Sequence, residues 1–317
     1  MSKFMSPLAP LLNEYVYYRQ VSGRWCDSYE VSLGLFDKHC KSKYPDSGEL
    51  KQVMVDSWCA KRETENNNSC RRRIYPIYSF LRFLQKRGVT DIMTPTMPRK
   101  EPNTCIPHAF TEDELANFFD ACDAIPRGST IKKKARRLTI PVLFRLLYSS
   151  GVRTTEARLL RRSNADLSHG VLNIEYSKGH AQHYVVLNDS ILKLMNDYDI
   201  AIDDLYPNRT YFFPFGGSRC LTASWVLENF KKMWFQKNSA HAVPYDFRHN
   251  YAIENINSWT NDGFGFTDKL LYLSKSMGHS TIESTKYYYS LVPRLADVMA
   301  AHIDEDEMIP EVPYESY

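Results

Sequence analysis

Residues 147–156, Leu-Tyr-Ser-Ser-Gly-Val-Arg-Thr-Thr-Glu, decide how the second half of this 317-residue chain is interpreted. An apolar helical pattern over about 138–149 ends at Gly151, and glycine commonly follows a helix because it tolerates a left-handed backbone. Arg153 then lies in the turn that starts the next helix, and Glu156 follows three residues later. Taken alone, an arginine at a helix start is usually a surface residue.

A short sheet is predicted after these helices. Residues 171–176 (VLNIEY) and 183–187 (HYVVL) have the β-branched and aromatic composition of strands, and the connection SKGHAQ between them is polar. The pattern predicts a β-hairpin with Lys178 and Gly179 at its tip. Because a lysine at such a tip is usually solvated, Lys178 indicates no function by itself.

Two later segments combine basic and aromatic side chains. A predicted helix opens with the sequence Pro-Tyr-Asp-Phe-Arg-His, which contains Tyr245, Arg248 and His249. A Met-Gly-His sequence ends at His279, and Tyr288 follows nine residues after that histidine. Each segment has an ordinary explanation, such as a buried polar network or aromatic packing. Their order and spacing along the chain indicate more than any one of them does.

The ordered set G-x-R-x-x-E, hairpin lysine, P-x-D-x-R-H and G-H-x8-Y resembles the tyrosine recombinase (phage integrase-like) family over about residues 110–292. The N-terminal half is more loosely similar to that family's helical core-binding domain. The resemblance implies a mainly α fold, with a helical core-binding domain and a mixed α+β catalytic domain that has a small antiparallel sheet. It also implies a site-specific recombinase that cuts and rejoins DNA through a covalent 3′-phosphotyrosine intermediate and needs no cofactor.

The residue types fit this chemistry. Attack on a phosphodiester spreads negative charge over the non-bridging oxygens, and a guanidinium meets such oxygens with a permanently charged planar fork. We assign that role to Arg153 and Arg248. A tyrosine nucleophile, Tyr288, stores the phosphate as an ester, so rejoining needs no energy source. The resemblance implies that Lys178 protonates the leaving 5′-oxygen and that His279 donates a hydrogen bond to the scissile phosphate.

The tyrosine that attacks stands in a run of three. The family spacing favours Tyr288, while Tyr287 and Tyr289 are its immediate neighbours. Successive side chains on a helix point about 100° apart, so the three phenols cannot share one direction. Packing or phosphate contact is the expected role of the two flanking tyrosines.

One position departs from the family pattern. Tyr245 stands where the family usually has histidine. A phenol, whose pKa is about 10, donates a hydrogen bond to a phosphate but is a poor proton shuttle near neutral pH. We therefore expect Tyr245 to keep the phosphate contact and to lose an acid–base contribution. Glu156 and His249 are expected to contact other side chains of the site and not the DNA. Glu156, three residues after Arg153, is placed to pair with it.

The chain is predicted to have two domains and a tail. Four prolines between residues 95 and 107 and a lack of large apolar side chains predict an extended linker. Four helical patterns precede it, at about 8–21, 27–43, 49–62 and 69–87. The predicted divisions are a helical core-binding domain at 1–94, a linker at 95–108, a catalytic domain at 109–302 and an acidic tail at 303–317.

The net charge of +3 conceals an uneven distribution. Residues 303–317 hold six acids and no bases, so the remainder of the chain has a charge of about +9. Two basic clusters are candidates for positioning DNA phosphates, although each could equally be a solvated basic face. The candidates are Arg71, Arg72 and Arg73 in the first turn of one predicted helix and Lys132, Lys133 and Lys134 ahead of another.

Several classes of protein are not expected. The seven scattered cysteines contain no C-x-x-C pair, which favours reduced thiols in an intracellular protein over a disulfide or zinc framework. No apolar run is long enough for a membrane span, and the N-terminus lacks a signal core. We expect a cytoplasmic, nucleoid-associated protein. His180 and His183 have no convincing partners for a zinc site, so we expect no structural metal.

The resemblance implies double-stranded DNA with inverted-repeat arms as the partner. It also implies homodimers and tetramers on that DNA, and accessory recombination proteins. Integration or excision of a mobile element and transposition are favoured, while the target sequence, resolution and inversion stay open. Two alternatives are a type IB topoisomerase, which shares the tyrosine chemistry, and a DNA-binding accessory protein that has lost catalysis. The complete set of site residues argues against the second alternative.

Overall fold

The structure, a computed structural model, describes residues 4–25, 27–102, 107–175, 182–259, 266–279 and 285. Those residues form eleven α-helices and five short strands, which confirms the predicted mainly α fold with a small antiparallel sheet. The chain divides into two compact units, Met1–Cys105 and Ile106–Tyr317. Across the described ranges, every helix is too short or too polar to cross a membrane.

The first unit contains four helices around one apolar core. They are α1 (Ala9–Val21), α2 (Asp27–Lys43), α3 (Gln52–Cys59) and α4 (Asn67–Gln85). Each predicted helix lies within three residues of the observed one at both ends. Helix α3 is shorter than predicted because Ala60 leaves the helical region, with ψ at 135°. Phe36, Phe80 and Leu81 are completely buried in the core.

Helix α4 begins two residues earlier than predicted because Asn66 caps it. The Asn66 side chain accepts the backbone N–H of Ser69 at 2.8 Å. Asn68 instead binds the chain beyond the helices: its amide donates to the Glu101 carbonyl at 2.8 Å and accepts the Glu101 N–H at 3.1 Å. Part of the predicted linker is therefore fixed to α4.

Arg73 faces the interior of the first unit. Its guanidinium forms an ion pair with Glu65 at 2.6 Å, and the two side chains are only 11% and 10% exposed. The same guanidinium donates to the carbonyl oxygens of Trp58 and Ala60. The hydrogen bond that Arg73 donates to Glu65, together with the Arg73 charge, holds the pKa of Glu65 down to about 2. Arg73 thus connects α4 to the segment that follows α3.

We expect Arg73→Gln to lower the free energy of unfolding by about 3 kcal/mol, because it leaves a poorly exposed carboxylate without its cation. The contribution of the Glu65–Arg73 pair to the free energy of unfolding is fully present above the unfolded pKa of Glu65, about 4.5, and is lost as the pH falls towards 2. Urea unfolding followed by circular dichroism should therefore show the two proteins converging between those pH values. Arg72→Gln, at an exposed neighbour, should change stability by less than about 0.5 kcal/mol. Equal losses for both variants would contradict the assignment.

The second unit is mostly helical. Its helices are α5 (Glu112–Asp123), α6 (Ile131–Ser150), α7 (Thr154–Leu159), α8 (Asp189–Asp203), α9 (Ala223–Trp234), α10 (Asp246–Ser258) and α11 (Phe266–Ser276). Strands β1 (Ala165–Asp166), β2 (Val171–Ile174) and β3 (His183–Val186) form an antiparallel sheet in that order. A second pair, β4 (Pro214–Phe215) and β5 (Arg219–Cys220), was not predicted, because two-residue strands leave no alternating pattern.

The sequence predicts that the basic cluster at 132–137 precedes a helix. In the structure the cluster lies within α6. Thr130 caps the helix by accepting the N–H of Lys133 at 3.3 Å, about two turns before the apolar pattern starts. Lys132, Lys133 and Lys134 are exposed, so water screens their mutual repulsion. Arg136 turns inward and donates to Asn229 at 2.7 Å.

An aromatic cluster fixes α10 against the rest of the second unit. Phe247 is completely buried and lies 5.5 Å from Phe118 and 5.6 Å from Phe230, measured between ring centroids. Phe230 in turn stacks on Trp234 at 5.7 Å. Because Phe247 directly precedes Arg248, this packing determines where the arginine side chain begins.

The described cysteines are free thiols, as the sequence predicts. Burial raises the pKa of Cys40, Cys59 and Cys122 to about 12. A thiol with so high a pKa is almost entirely protonated near neutral pH and is a poor nucleophile. These cysteines therefore belong to the packing of the two units.

Candidate active site

Arg248 connects three segments of the second unit. Its side chain is 1% exposed, and it donates from Nη1 to the Gly151 carbonyl and from Nη2 to the Met277 carbonyl, both at 2.7 Å. Gly151 ends α6 with φ at +63°, and a Cβ there would lie 2.3 Å from the Tyr251 ring. Glycine is therefore required both for the backbone and for the space.

Arg153 lies beside the same turn. It caps α7, and its guanidinium donates to Glu156 at 2.5 Å and to the Gly278 carbonyl at 3.1 Å. The other Glu156 oxygen accepts the Arg153 backbone N–H at 2.8 Å. The Glu156 side chain is buried, whereas that of Arg153 is 16% exposed. The carboxylate thus orients the guanidinium and leaves it a route to solvent.

His279 completes the cluster. Its Nε2 lies 2.9 Å from Nη2 of Arg248, and its Nδ1 lies 2.6 Å from Oγ1 of Thr285. Burial, reinforced by the charges of Arg248 and Arg153, lowers the pKa of His279 to about 4. The imidazole is therefore neutral at physiological pH.

His183 supports the cluster from the sheet. It lies on β3, is 8% exposed, and its Nε2 is 3.9 Å from a Glu156 oxygen. Its ring packs against Gly278, where a Cβ would come within 2.6 Å of it. From the sequence, His183 stands out only as a candidate zinc ligand. Among the described residues, no group of three or more His, Cys, Asp or Glu side chains could hold a metal ion. The local signal was its place at the start of a predicted strand, while its contacts with Glu156 and Gly278 arise from packing between distant segments.

Tyr245 and His249 lie at the start of α10. Tyr245 is 44% exposed, and its ring meets that of His249 edge-on at 5.1 Å between centroids. Burial lowers the pKa of His249, and the Arg248 charge adds to the effect. Asp246, which is buried, accepts the Val243 N–H at 2.8 Å and thereby holds this helix start. Tyr245 is therefore the solvent-facing member of the group.

Several predicted site residues lie outside the described residues. Lys178 at the hairpin tip is one, and Tyr288 with its neighbours Tyr287 and Tyr289 are others. The predicted tail at 303–317 is also outside. The structure therefore brings together Arg153, Glu156, Arg248 and His279, with Tyr245 and His249 close in sequence to Arg248.

The candidate DNA contacts differ in their surroundings. Arg72 and the three lysines at 132–134 are exposed. Arg71 is half-buried and donates to the Pro98 carbonyl at 2.5 Å. Arg73 is engaged with Glu65, as described above. The exposed cations are the ones placed to meet a phosphate without breaking an internal hydrogen bond.

The arrangement can bind an anion. Two guanidiniums are held against the adjacent carbonyls of Met277 and Gly278, so their charges lie side by side. Each is permanently charged and planar, which suits two oxygens of one phosphate. Low exposure strengthens such an interaction because little water screens it.

The sequence matches the model of a known protein family. The model of the phage integrase family matches residues 108–293, which is more than half of the chain. The putative integrase/recombinase y4rE of Sinorhizobium fredii is 24% identical, over 91% of this chain and 93% of that protein. The tyrosine recombinase XerC of Xanthomonas campestris pv. campestris is 23% identical, over 90% of this chain and 84% of its own.

Solved structures share the fold. XerH recombinase bound to a palindromic difH substrate superposes with a TM-score of 0.59 at 16% identity, over 88% of this chain and 80% of that one. The Tn1549 transposon integrase with transposon right-end DNA gives 0.59 at 13% identity, over 96% and 100%. A lambda integrase tetramer bound to a Holliday junction gives 0.56 at 12% identity, over 89% and 76%.

Proposed function

Because the chain belongs to the phage integrase family of tyrosine recombinases, we propose that it cuts and rejoins DNA at specific sites through a covalent 3′-phosphotyrosine intermediate. The observation that carries the proposal is the placement of Arg153 and Arg248 on adjacent carbonyls of the Met277–Gly278 turn. A scissile phosphate held by both guanidiniums would have its developing charge neutralised as the nucleophile attacks.

The proposed reaction is a reversible transesterification. The phenol oxygen of Tyr288 bonds to phosphorus and loses its proton to solvent, while the bond from phosphorus to the 5′-oxygen breaks. Lys178 donates a proton to that leaving oxygen. Rejoining is the reverse attack by a 5′-hydroxyl on the phosphotyrosine. The number of phosphoester bonds is unchanged, so no water or cofactor is consumed.

Two residues near Arg248 have supporting roles in the proposal. Tyr245, which is exposed at the start of α10, would donate a hydrogen bond to a phosphate oxygen. His249 packs against the Tyr245 ring and would hold it in place. A phenol in this position supplies a hydrogen bond without a proton-transfer step near neutral pH.

We further propose that the partner is double-stranded DNA with inverted-repeat arms, bound by dimers and tetramers of this chain in the cytoplasm, together with accessory recombination proteins. The fold is shared with an integrase bound to transposon-end DNA and with an integrase tetramer bound to a Holliday junction. These likenesses support integration, excision or transposition of a mobile element as the biological setting.

The lysine cluster in α6 should contribute to DNA affinity. Replacing Lys132, Lys133 and Lys134 by glutamine should reduce the slope of log K against log salt by about 2–3, because up to three phosphates lose a counterion-releasing contact. The measurement is fluorescence anisotropy with duplex DNA at several salt concentrations.

A matched triple variant controls for the change in net charge. Three other exposed lysines of the second unit are Lys193, Lys232 and Lys237. Replacing them by glutamine should change the slope by less than about 0.5. If both triple variants flatten the slope equally, the α6 cluster is a solvated basic face. Arg72→Gln tests the first unit in the same assay, with an expected decrease of about one.

Covalent capture on DNA tests the proposed function. A library of duplexes with a randomised centre and a nick near one end would be incubated with the protein, and the denaturation-resistant complexes sequenced. We expect captured DNA to converge on inverted repeats around a short spacer. Relaxation of plasmid without such a site would favour a type IB topoisomerase. Binding without any covalent complex would favour an inactive accessory protein.

A further inference from the structure

Thr285 is a buried partner of the site that was not predicted from the sequence. Its side chain is 0% exposed, and its Oγ1 lies 2.6 Å from Nδ1 of His279. The sequence signal was a threonine six residues after the histidine of the G-H motif. A hydroxyl in this position can either accept or donate a hydrogen bond, because its proton rotates about the C–O bond.

The partners of His279 assign its tautomer. A guanidinium N–H can only donate, so Nε2 accepts the hydrogen bond from Nη2 of Arg248 at 2.9 Å. A neutral imidazole has one proton, which must then reside on Nδ1. Nδ1 donates that proton to Oγ1 of Thr285. Thr285 is therefore the acceptor in this structure.

In this tautomer, Nε2 of His279 cannot donate a hydrogen bond to a phosphate. The non-bridging oxygens only accept hydrogen bonds, and Nε2 in this state also only accepts. In the free protein a second proton on the ring is disfavoured near neutral pH, since burial and the charge of Arg248 lower the pKa of His279. A phosphate that replaces the imidazole on Arg248 can accept a hydrogen bond from His279 only when Nε2 carries a proton.

We propose that Thr285 is a positioning residue that supports both tautomers of His279, accepting from Nδ1 in the free protein and donating to Nδ1 when a DNA phosphate occupies Arg248. The inference rests on the proposed function, because the phosphate is that of the DNA substrate. In the exchange, one proton leaves Nδ1 for solvent and one is gained at Nε2, so the ring stays neutral. Rotation of one hydroxyl accommodates both states.

Two variants separate the effect of the Thr285 hydroxyl from that of the side-chain volume. Thr285→Val keeps the volume and removes both hydrogen-bonding functions, whereas Thr285→Ser keeps the hydroxyl. At saturating nicked DNA and pH 7.5, single-turnover adduct formation should fall about 10–100-fold for Thr285→Val and less than about threefold for Thr285→Ser. DNA affinity should be unchanged in both. Equal rates for the two variants would overturn the proposal.

Nitrogen NMR of the imidazole ring gives a second measurement that does not depend on either variant. In Tyr288→Phe protein labelled at histidine, His279 should have its proton on Nδ1 when free and on Nε2 when bound to uncleaved DNA. The same tautomer in both states would overturn the proposal. If wild-type protein forms no adduct on any DNA, the proposed function itself fails. Failure of the Thr285 proposal is a different result, because wild-type protein would then still form the adduct.

Discussion

Tyr288→Phe should abolish covalent attachment to DNA, with single-turnover cleavage reduced more than about 10³-fold. Phenylalanine has no oxygen, so no phosphoester can form at this position and the two-step reaction cannot begin. DNA affinity should stay within about threefold of wild type, because the removed group reacts with phosphorus instead of anchoring the duplex. The assay is a nicked duplex whose short product diffuses away and traps the adduct on a denaturing gel.

The neighbouring tyrosines provide matched controls. Tyr287→Phe and Tyr289→Phe remove the same atom from the two adjacent residues, whose side chains a helix would direct about 100° away, and each should keep cleavage within about tenfold of wild type. If Tyr288→Phe still formed the adduct while either neighbouring variant did not, the assignment of the nucleophile would be wrong.

Arg153→Lys should reduce the single-turnover cleavage rate by about 10²–10³-fold at saturating DNA. A lysine keeps the charge but cannot pair with Glu156 and the Gly278 carbonyl while presenting a planar fork to phosphate. Arg248→Lys should lose as much activity. It should also lower the melting temperature, since the buried carbonyls of Gly151 and Met277 would lose their donors.

Arg158 is the control for the arginine variants. It lies on α7 with the residues that follow Arg153, but it donates to the Leu221 carbonyl at 2.7 Å, away from the G-H turn. Arg158→Lys should cleave within about threefold of wild type. If Arg153→Lys weakened DNA binding and left the cleavage rate unchanged, Arg153 would position the backbone and would not stabilise the transition state.

Local signals explain what could be predicted from the sequence. Gly151 ends α6 in a left-handed conformation, and Arg153 starts α7, as the glycine and the helical pattern around it suggest. The β2–β3 pairing follows from two short runs of strand-forming residues. The order of these motifs was enough to predict the family and the mainly helical fold.

Contacts between distant segments could not be predicted. Arg248 reaches a carbonyl 97 residues earlier and another 29 residues later, and no local pattern encodes either bond. Thr285 and His183 were missed for the same reason, because their roles depend on packing around His279 and Glu156. The start of α4 shows a smaller limit: three consecutive asparagines at 66–68 could each cap it, and in the structure Asn66 does so while Asn68 binds Glu101.

Mass spectrometry of the wild-type adduct tests the central claim most directly. After nuclease and trypsin digestion, cleavage behind Lys286 and Arg294 releases the peptide Tyr287–Arg294, which contains all three tyrosines. The proposal predicts a nucleotide joined by a phosphoester to Tyr288 alone, located by fragmentation. A nucleotide on Tyr287 or Tyr289, or no modified peptide from DNA that the protein cleaves, would contradict it.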